Sequence, residues 1–276
     1  MTAITIMGAG GKMGYRVSKN LGGRGYDLRH VEVSEAGRKR LEEIGVNCLR
    51  QDSALDRTDV VILAVPDSAI RKVSHTISPL VPPGAMMIAL DAAAPFAGDL
   101  PDRPDLAYFV AHPCHPPILN DEVDPEAQHD HFGGVAAKQH IVCSLMQGPE
   151  SAYALGEEIA RHMFAPVMRS HRVSVEQMAL LEPVLSETVG ATCITIIREA
   201  MDEAIRRGVP AQAAQDFIEG HLRVEIAILF GHLPGAQFSD AAKRAVERAK
   251  SSLFRPDWKK VFEPAAVAES IQLITR

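Results

Sequence analysis

The chain has 276 residues, enough for one large or two modest domains, and its 46% apolar and 23% charged content is that of a folded globular protein. A formal net charge of −6 argues against a nucleic-acid partner held through phosphate contacts. No uninterrupted apolar run reaches the ~18 residues expected of a membrane span. The first residues read as a strand, leaving no room for a signal peptide. Cys48, Cys114, Cys143 and Cys193 show no C-x-x-C spacing, so free thiols in a reducing cytoplasm are expected rather than disulfides or a zinc knuckle.

Ala3-Ile4-Thr5-Ile6-Met7 is an apolar strand running into Gly8-Ala9-Gly10-Gly11-Lys12-Met13-Gly14, after which Val17 and Leu21 share a helical face. This is the strand–Gly loop–helix unit that holds a dinucleotide pyrophosphate. Gly8 permits the tight turn, Gly10 and Gly11 let backbone N–H groups of Lys12 and Met13 approach the phosphates, and Gly14 allows close packing of helix on strand. The next strand, Arg29 to Val33, ends near Glu32. An acidic residue about twenty positions after the Gly loop accepts hydrogen bonds from the adenosine ribose hydroxyls and repels a 2′-phosphate. Arg38 and Lys39 lie a few residues on, but no Arg replaces Glu32. The cofactor expected is NAD.

Ser34 caps a helix from Glu35 to Ile44, closed by Gly45, and Val46-Asn47-Cys48 reads as a short edge strand. Asp59 to Pro66 is an apolar run, hence a central parallel strand. Asp67 follows at its carboxyl end, as a helix N-cap, a cofactor contact, or both. A helix through Ile70, Val73 and Ile77 precedes the strand Ala85–Leu90, with Asp91 at its end. The strand Ala107–Ala111 opens onto His112-Pro113-Cys114-His115-Pro116-Pro117. Asn120 to His131 is polar and acidic and reads as a loop over the site. The strand His140–Leu145, a helix Glu150–Met163 and a last strand Val167–Val173 complete a doubly wound sheet.

From Ser174 apolar residues recur at helical spacing through Met178, Leu181, Leu185, Val189 and Ile196 to Arg207, interrupted only by Pro183. A helix from Ala211 to about Phe230 and further helices follow. The fold class is therefore α/β: a Rossmann-type doubly wound sheet over residues 1–170, then an all-helical domain over 171–276 that contacts substrate and pairs two subunits as a homodimer.

Two stretches carry candidate chemistry. His112 and His115 stand beside the carboxyl end of a strand, in a loop stiffened by prolines. They could bind a divalent metal, act as acid and base, or merely cap backbone groups. Glu187 lies among apolar Leu185, Val189 and Cys193, and a carboxylate near a buried face needs a partner such as a metal ion or a substrate hydroxyl. Glu182, five residues earlier, points elsewhere on a regular helix unless Pro183 disturbs it. Thr188 and Thr192 could line the face of Glu187, and His129, His131 and His221 read as surface residues. There is no G-x-S-x-G, Walker A lysine motif or H-E-x-x-H.

The order Gly8–Gly14, Glu32, Ala64-Val65-Pro66-Asp67 and an all-helical C-terminal part resembles the superfamily of 6-phosphogluconate dehydrogenase, prephenate dehydrogenase and ketol-acid reductoisomerase. The His112–Pro117 loop and Leu181–Gly190 resemble the bacterial D-apionate oxidoisomerase family. Departures narrow the resemblance. Ketol-acid reductoisomerases carry an acidic pair four apart, whereas here the interval is five, which points to one metal shared with a histidine. Ser174–Ile197 contains no Lys, against plain 6-phosphogluconate-type chemistry.

The resemblance implies that NAD takes hydride from C2 of a branched sugar acid, D-apionate, and that a metal-assisted acyloin shift then gives the 3-oxo isomer, 3-oxo-isoapionate. It implies His112 and Glu187 as ligands of a divalent cation, and His115 or Glu182 as the base or as a residue supporting the ligands. Two other readings are a hydroxy-acid dehydrogenase that leaves the carbon skeleton unchanged and a non-catalytic NAD-binding sensor.

Overall fold

The computed structural model describes residues 1–276. The backbone forms two compact units, residues 1–183 with 268–276, and residues 184–267.

The first unit is built on a seven-stranded sheet in the order β2-β1-β3-β4-β5-β6-β7. The strands are β1 (Ala3–Met7), β2 (Asp27–Val31), β3 (Val60–Leu63), β4 (Met86–Ala89), β5 (Ala107–Pro113), β6 (Gln139–Gln147) and β7 (Val167–Arg172). β1, β3 and β4 are buried along their whole length, as apolar runs covered on both faces should be. On one face lie α1 (Lys12–Leu21) and the helix Glu150–Met163, whose Val17, Leu21, Ile159 and Met163 join Ile4, Ile6, Ile62, Ile88 and Phe109 in one core. Gly156 lets the second helix close on Phe109, since a Cβ there would sit 2.6 Å from the ring. On the other face Ile70 and Ile77, from the helix Asp67–Ile77, pack with Val61, Leu63 and Met87.

Several local expectations are corrected. β2 starts and stops two residues early, so Glu32 follows the strand instead of ending it. Val46–Cys48 forms no strand, only a single bridge from His30 to Cys48. β6 runs antiparallel to β5, a departure from pure double winding. No helix connects these strands across a face, so the chain returns from the end it has just reached. The returning segment is not all loop: Pro125–His129 is helical, and the Asp130 carboxylate accepts N–H bonds from Val135, Ala136 and Ala137 at 3.0, 3.0 and 3.1 Å.

A long helix, Val175–Arg206, begins at a Ser174/Gln177 capping box. Its middle, Leu180–Ala191, is π-helical around Pro183. Proline has no N–H to donate, and its ring crowds the carbonyl four residues back, so a wider turn accommodates it. By length and composition this helix could also cross a membrane, with a mean hydropathy of 1.4 in its best window. Counting only uninterrupted apolar runs missed it, because a few polar residues are spread along it. The second unit is all helical, with Ala211–Leu229 and Asp240–Leu253 following the turn at Gly208.

Candidate active site

The Gly loop is shaped for close approach. Gly8 takes φ +74° and donates to Val31 O at 2.9 Å. A Cβ on Gly14 would lie 2.1 Å from Gly8 O, so only glycine lets α1 start this close to β1. Gly11 precedes α1 with no side-chain cap, and the first turn holds no acidic residue. The N–H groups of Lys12 and Met13 thus open a helix with no carboxylate in its own first turn, the arrangement that receives a phosphate.

Glu32 stands beside this loop. Its Oε2 accepts from Gly10 N and its Oε1 from Ser34 N, both at 2.8 Å. Burial pushes the carboxyl upward, but the hydrogen bonds from Ser34, Gly10 and Val33 outweigh it and hold the group below the usual glutamate range. An ionised carboxylate offers about four acceptor positions, so capacity remains for ribose hydroxyls. Arg38 Nε donates to Glu32 O at 2.9 Å, so this guanidinium is turned to a backbone carbonyl. Gly37 went unnoticed in the sequence. Its signal was a glycine inside a helix, where it costs stability. A Cβ on it would stand 2.6 Å from the Glu32 carboxyl carbon. Asp67 lies at the carboxyl edge of β3, but it is the first residue of its helix, and Pro66 occupies the N-cap position. The capping role is corrected for that reason.

The carboxyl ends of β4 and β5 bring together Asp91 and His112, and Glu182 reaches them from the π-helical segment. One ligand atom from each of the three lies within 4.8 Å of the other two. His112 Nδ1 is 2.8 Å from Leu90 O and 3.8 Å from Asp91 Oδ2, and Nε2 is 3.0 Å from Glu182 Oε2. Burial pushes the imidazole pKa down, Asp91 and the Leu90 carbonyl oppose this, and His115 adds to the lowering. A neutral ring donating through Nδ1 to Leu90 leaves the Nε2 lone pair facing a carboxylate oxygen. Two such acceptors at 3.0 Å require a proton or a cation to hold them there. Adjacent ligands of a six-coordinate cation at about 2.1 Å stand about 3.0 Å apart, so the donor set fits a divalent metal.

Asp91 was read from the sequence only as a strand end. The usable signal was its position, since open α/β sheets place ligands at the carboxyl ends of their strands. Its Oδ1 accepts from Ala93 N at 2.6 Å, which orients the carboxylate. His115 is 6.3 Å from His112 between ring centres. It holds φ +60°, a costly backbone for a non-glycine residue, and its Nδ1 meets Phe132 O at 2.8 Å. With that nitrogen donating, Nε2 is free to accept a proton. Glu187 belongs to the second unit and is exposed.

Comparison with known proteins fits this geometry. Residues 120–275 match the phosphogluconate dehydrogenase (decarboxylating) C-terminal family. The chain is 60% identical, over the full length of both, to a D-apionate oxidoisomerase of Rhizobium rhizogenes. A crystal structure of a semialdehyde dehydrogenase NAD-binding protein from Cupriavidus necator, in complex with calcium and NAD, is 58% identical over all of both chains, with a TM-score of 0.98. An NADH-preferring ketol-acid reductoisomerase from an uncultured archean is 15% identical, with a TM-score of 0.71 over 98% of this chain and 83% of its own, and shares the fold. By its full-length identity the chain belongs to the D-apionate oxidoisomerase family.

Proposed function

We propose that this enzyme oxidises D-apionate with NAD and rearranges the product to 3-oxo-isoapionate, using a divalent cation held by Asp91, His112 and Glu182. The observation that carries this reading is the convergence of those three side chains at the carboxyl ends of β4 and β5. Glu187 is proposed as a further metal ligand only from the family resemblance of the Leu181–Gly190 stretch, since its side chain is exposed and Leu185 beside it is 50% exposed. When bound, NAD supplies the hydride acceptor and the cation a Lewis acid for the two neighbouring substrate oxygens.

Gly8, Gly10, Gly11 and Gly14 shape the pyrophosphate cradle, with the N–H groups of Lys12 and Met13 at its helix end. Glu32 receives the ribose hydroxyls, and Asp67 borders the cofactor. His115 takes the C2 hydroxyl proton on Nε2 as the C2 hydride leaves, giving a 2-oxo-3-hydroxy acid. Once His115 has released that proton to solvent, its Nε2 takes the C3 hydroxyl proton, a carbon substituent migrates with its electron pair from C3 to C2, and His115 returns the proton to the C2 oxygen. Atoms and charge balance, and a base that can return its proton serves both halves. Glu182 holds its carboxylate 3.0 Å from His112 Nε2, so the donors are preset.

The subunit arrangement we propose is a homodimer through the C-terminal helices. The support is the helix Val175–Arg206, whose most apolar window is only 11% buried in one chain, with Leu181, Leu185 and Ile194 exposed. Pairing of two soluble subunits accounts for this apolarity without a membrane, and four free thiols suit the cytoplasm. Light scattering should return twice the chain mass, and a monomer would refute the pairing.

The test of the activity is incubation with D-apionate and NAD, following NADH by absorbance and the product skeleton by NMR, with and without chelator. NADH formation with a rearranged skeleton, lost on chelation, is expected. An unchanged skeleton would mean a simple dehydrogenase, and unaffected turnover would remove the metal.

A further inference from the structure

We propose that the helix after β2 clamps the Gly loop and that Arg40 is a positioning residue for NAD, an inference that rests on the NAD reading above. This helix, α2 (Glu35–Glu42), is capped by Ser34, whose Oγ accepts from Gly37 N. Arg40 reaches back from it to the loop: Nε and Nη2 both donate to Gly10 O, at 2.9 and 2.5 Å. The same peptide group, Gly10–Gly11, donates its N–H to Gly8 O at 3.0 Å. The preceding peptide donates its N–H, that of Gly10, to Glu32 Oε2. Two consecutive peptide planes are therefore fixed immediately before the N–H groups of Lys12 and Met13.

Backbone contact completes the clamp. A Cβ on Gly10 would stand 2.4 Å from Gly37 O and 2.5 Å from Gly37 Cα, so loop and helix meet with no side chain between them. Arg40 lies thirty residues beyond Gly10, outside the glycine fingerprint. Two donors converging on one oxygen call for a planar guanidinium, which a lysine ammonium cannot reproduce. The loop is thus held in its phosphate-receiving form before the dinucleotide arrives, so that less ordering is left to binding.

The clamp bears on selectivity as well. The Arg38 and Arg40 guanidiniums both serve backbone carbonyls, Glu32 O and Gly10 O. Both arginines of α2 are therefore engaged within the fold instead of being turned toward a 2′-phosphate.

The test uses the full-length enzyme carrying Arg40→Ala or Arg40→Lys, with NADH affinity measured by fluorescence titration beside steady-state kinetics. Arg40→Ala should weaken NADH binding and raise the KM for NAD roughly tenfold, the lower range for hydrogen bonds from a charged donor. The kcat at saturating NAD should stay within about twofold. Arg40→Lys should recover part of the affinity, because one donor remains. Unchanged NADH affinity in Arg40→Ala, or a lower kcat with unchanged KM, would overturn the clamp. Should the unmodified enzyme itself fail to bind NADH, the NAD reading falls instead.

Discussion

Replacing Glu182 with Gln should weaken divalent-metal binding while sparing NADH. Glutamine keeps the length and one carbonyl oxygen, so the change removes one charge from the set of Asp91, His112 and Glu182 and little else. Deleting one partner of a buried charged pair costs about 3–5 kcal/mol. The His112 and Glu182 side chains remain 20% and 24% exposed, so water screens them and about 2–3 kcal/mol is the fitting range. At 1.36 kcal/mol per factor of ten, that is roughly a 30- to 150-fold loss of metal affinity. Calorimetric titration of Mn²⁺ or Ca²⁺ into the unmodified and Glu182→Gln enzymes measures it, and an NADH titration reports whether the sheet end is intact. Metal affinity within about threefold of the unmodified enzyme would refute the assignment of Glu182 as a ligand. Parallel loss of NADH binding would show that the substitution acts through the fold.

Three further outcomes are expected. Glu187→Gln should abolish the rearrangement and leave NAD affinity nearly unchanged, read from product NMR and NADH titration; equal loss of NAD binding would sink its role. Gly14→Ala places a Cβ 2.1 Å from Gly8 O, so α1 must shift; a loss of about 1–3 kcal/mol in urea unfolding, with a raised KM for NAD, is expected, and unchanged values would contradict the close packing. The third concerns Glu32, whose carboxyl is held below its usual range. A folded-state pKa below the unfolded one stabilises above the unfolded value, about 4.3, and that stability is lost as pH falls through the folded value. The Glu32→Gln enzyme should therefore show a flatter acid limb below that pH in urea midpoints, and an identical limb would count against the hydrogen-bonded carboxylate.

The cofactor half of this protein was largely legible in one dimension. A strand, a glycine turn and a helix lie within fifteen residues, and their roles follow from backbone sterics that depend on local sequence. Buried strands announced themselves as apolar runs for the same reason, and the helix Glu150–Met163 has the bounds its periodicity implied. His112 and His115 were visible because a strand end and prolines frame them. Strand direction was not visible: β6 is antiparallel because of what its connection does in space, and an apolar stretch reads the same in both directions.

The candidate metal site needed the tertiary structure. Asp91, His112 and Glu182 come from three elements separated by long stretches of chain, and no periodicity relates them. Arg40 is a surface-type residue in any sequence reading, and only the approach of its helix to Gly10 gives it work. Even the Gly loop meant less alone than in place, since its glycines announce a turn, while Glu32, Gly37 and Arg40 decide how that turn is held. The sequence by itself determined the elements and the kind of cofactor, because strand burial, helix starts and glycine conformations are encoded within a few residues. Which polar side chains converge was decided only by the tertiary structure, because the sheet brings the ends of β4 and β5 together and the π-helical segment carries Glu182 to them.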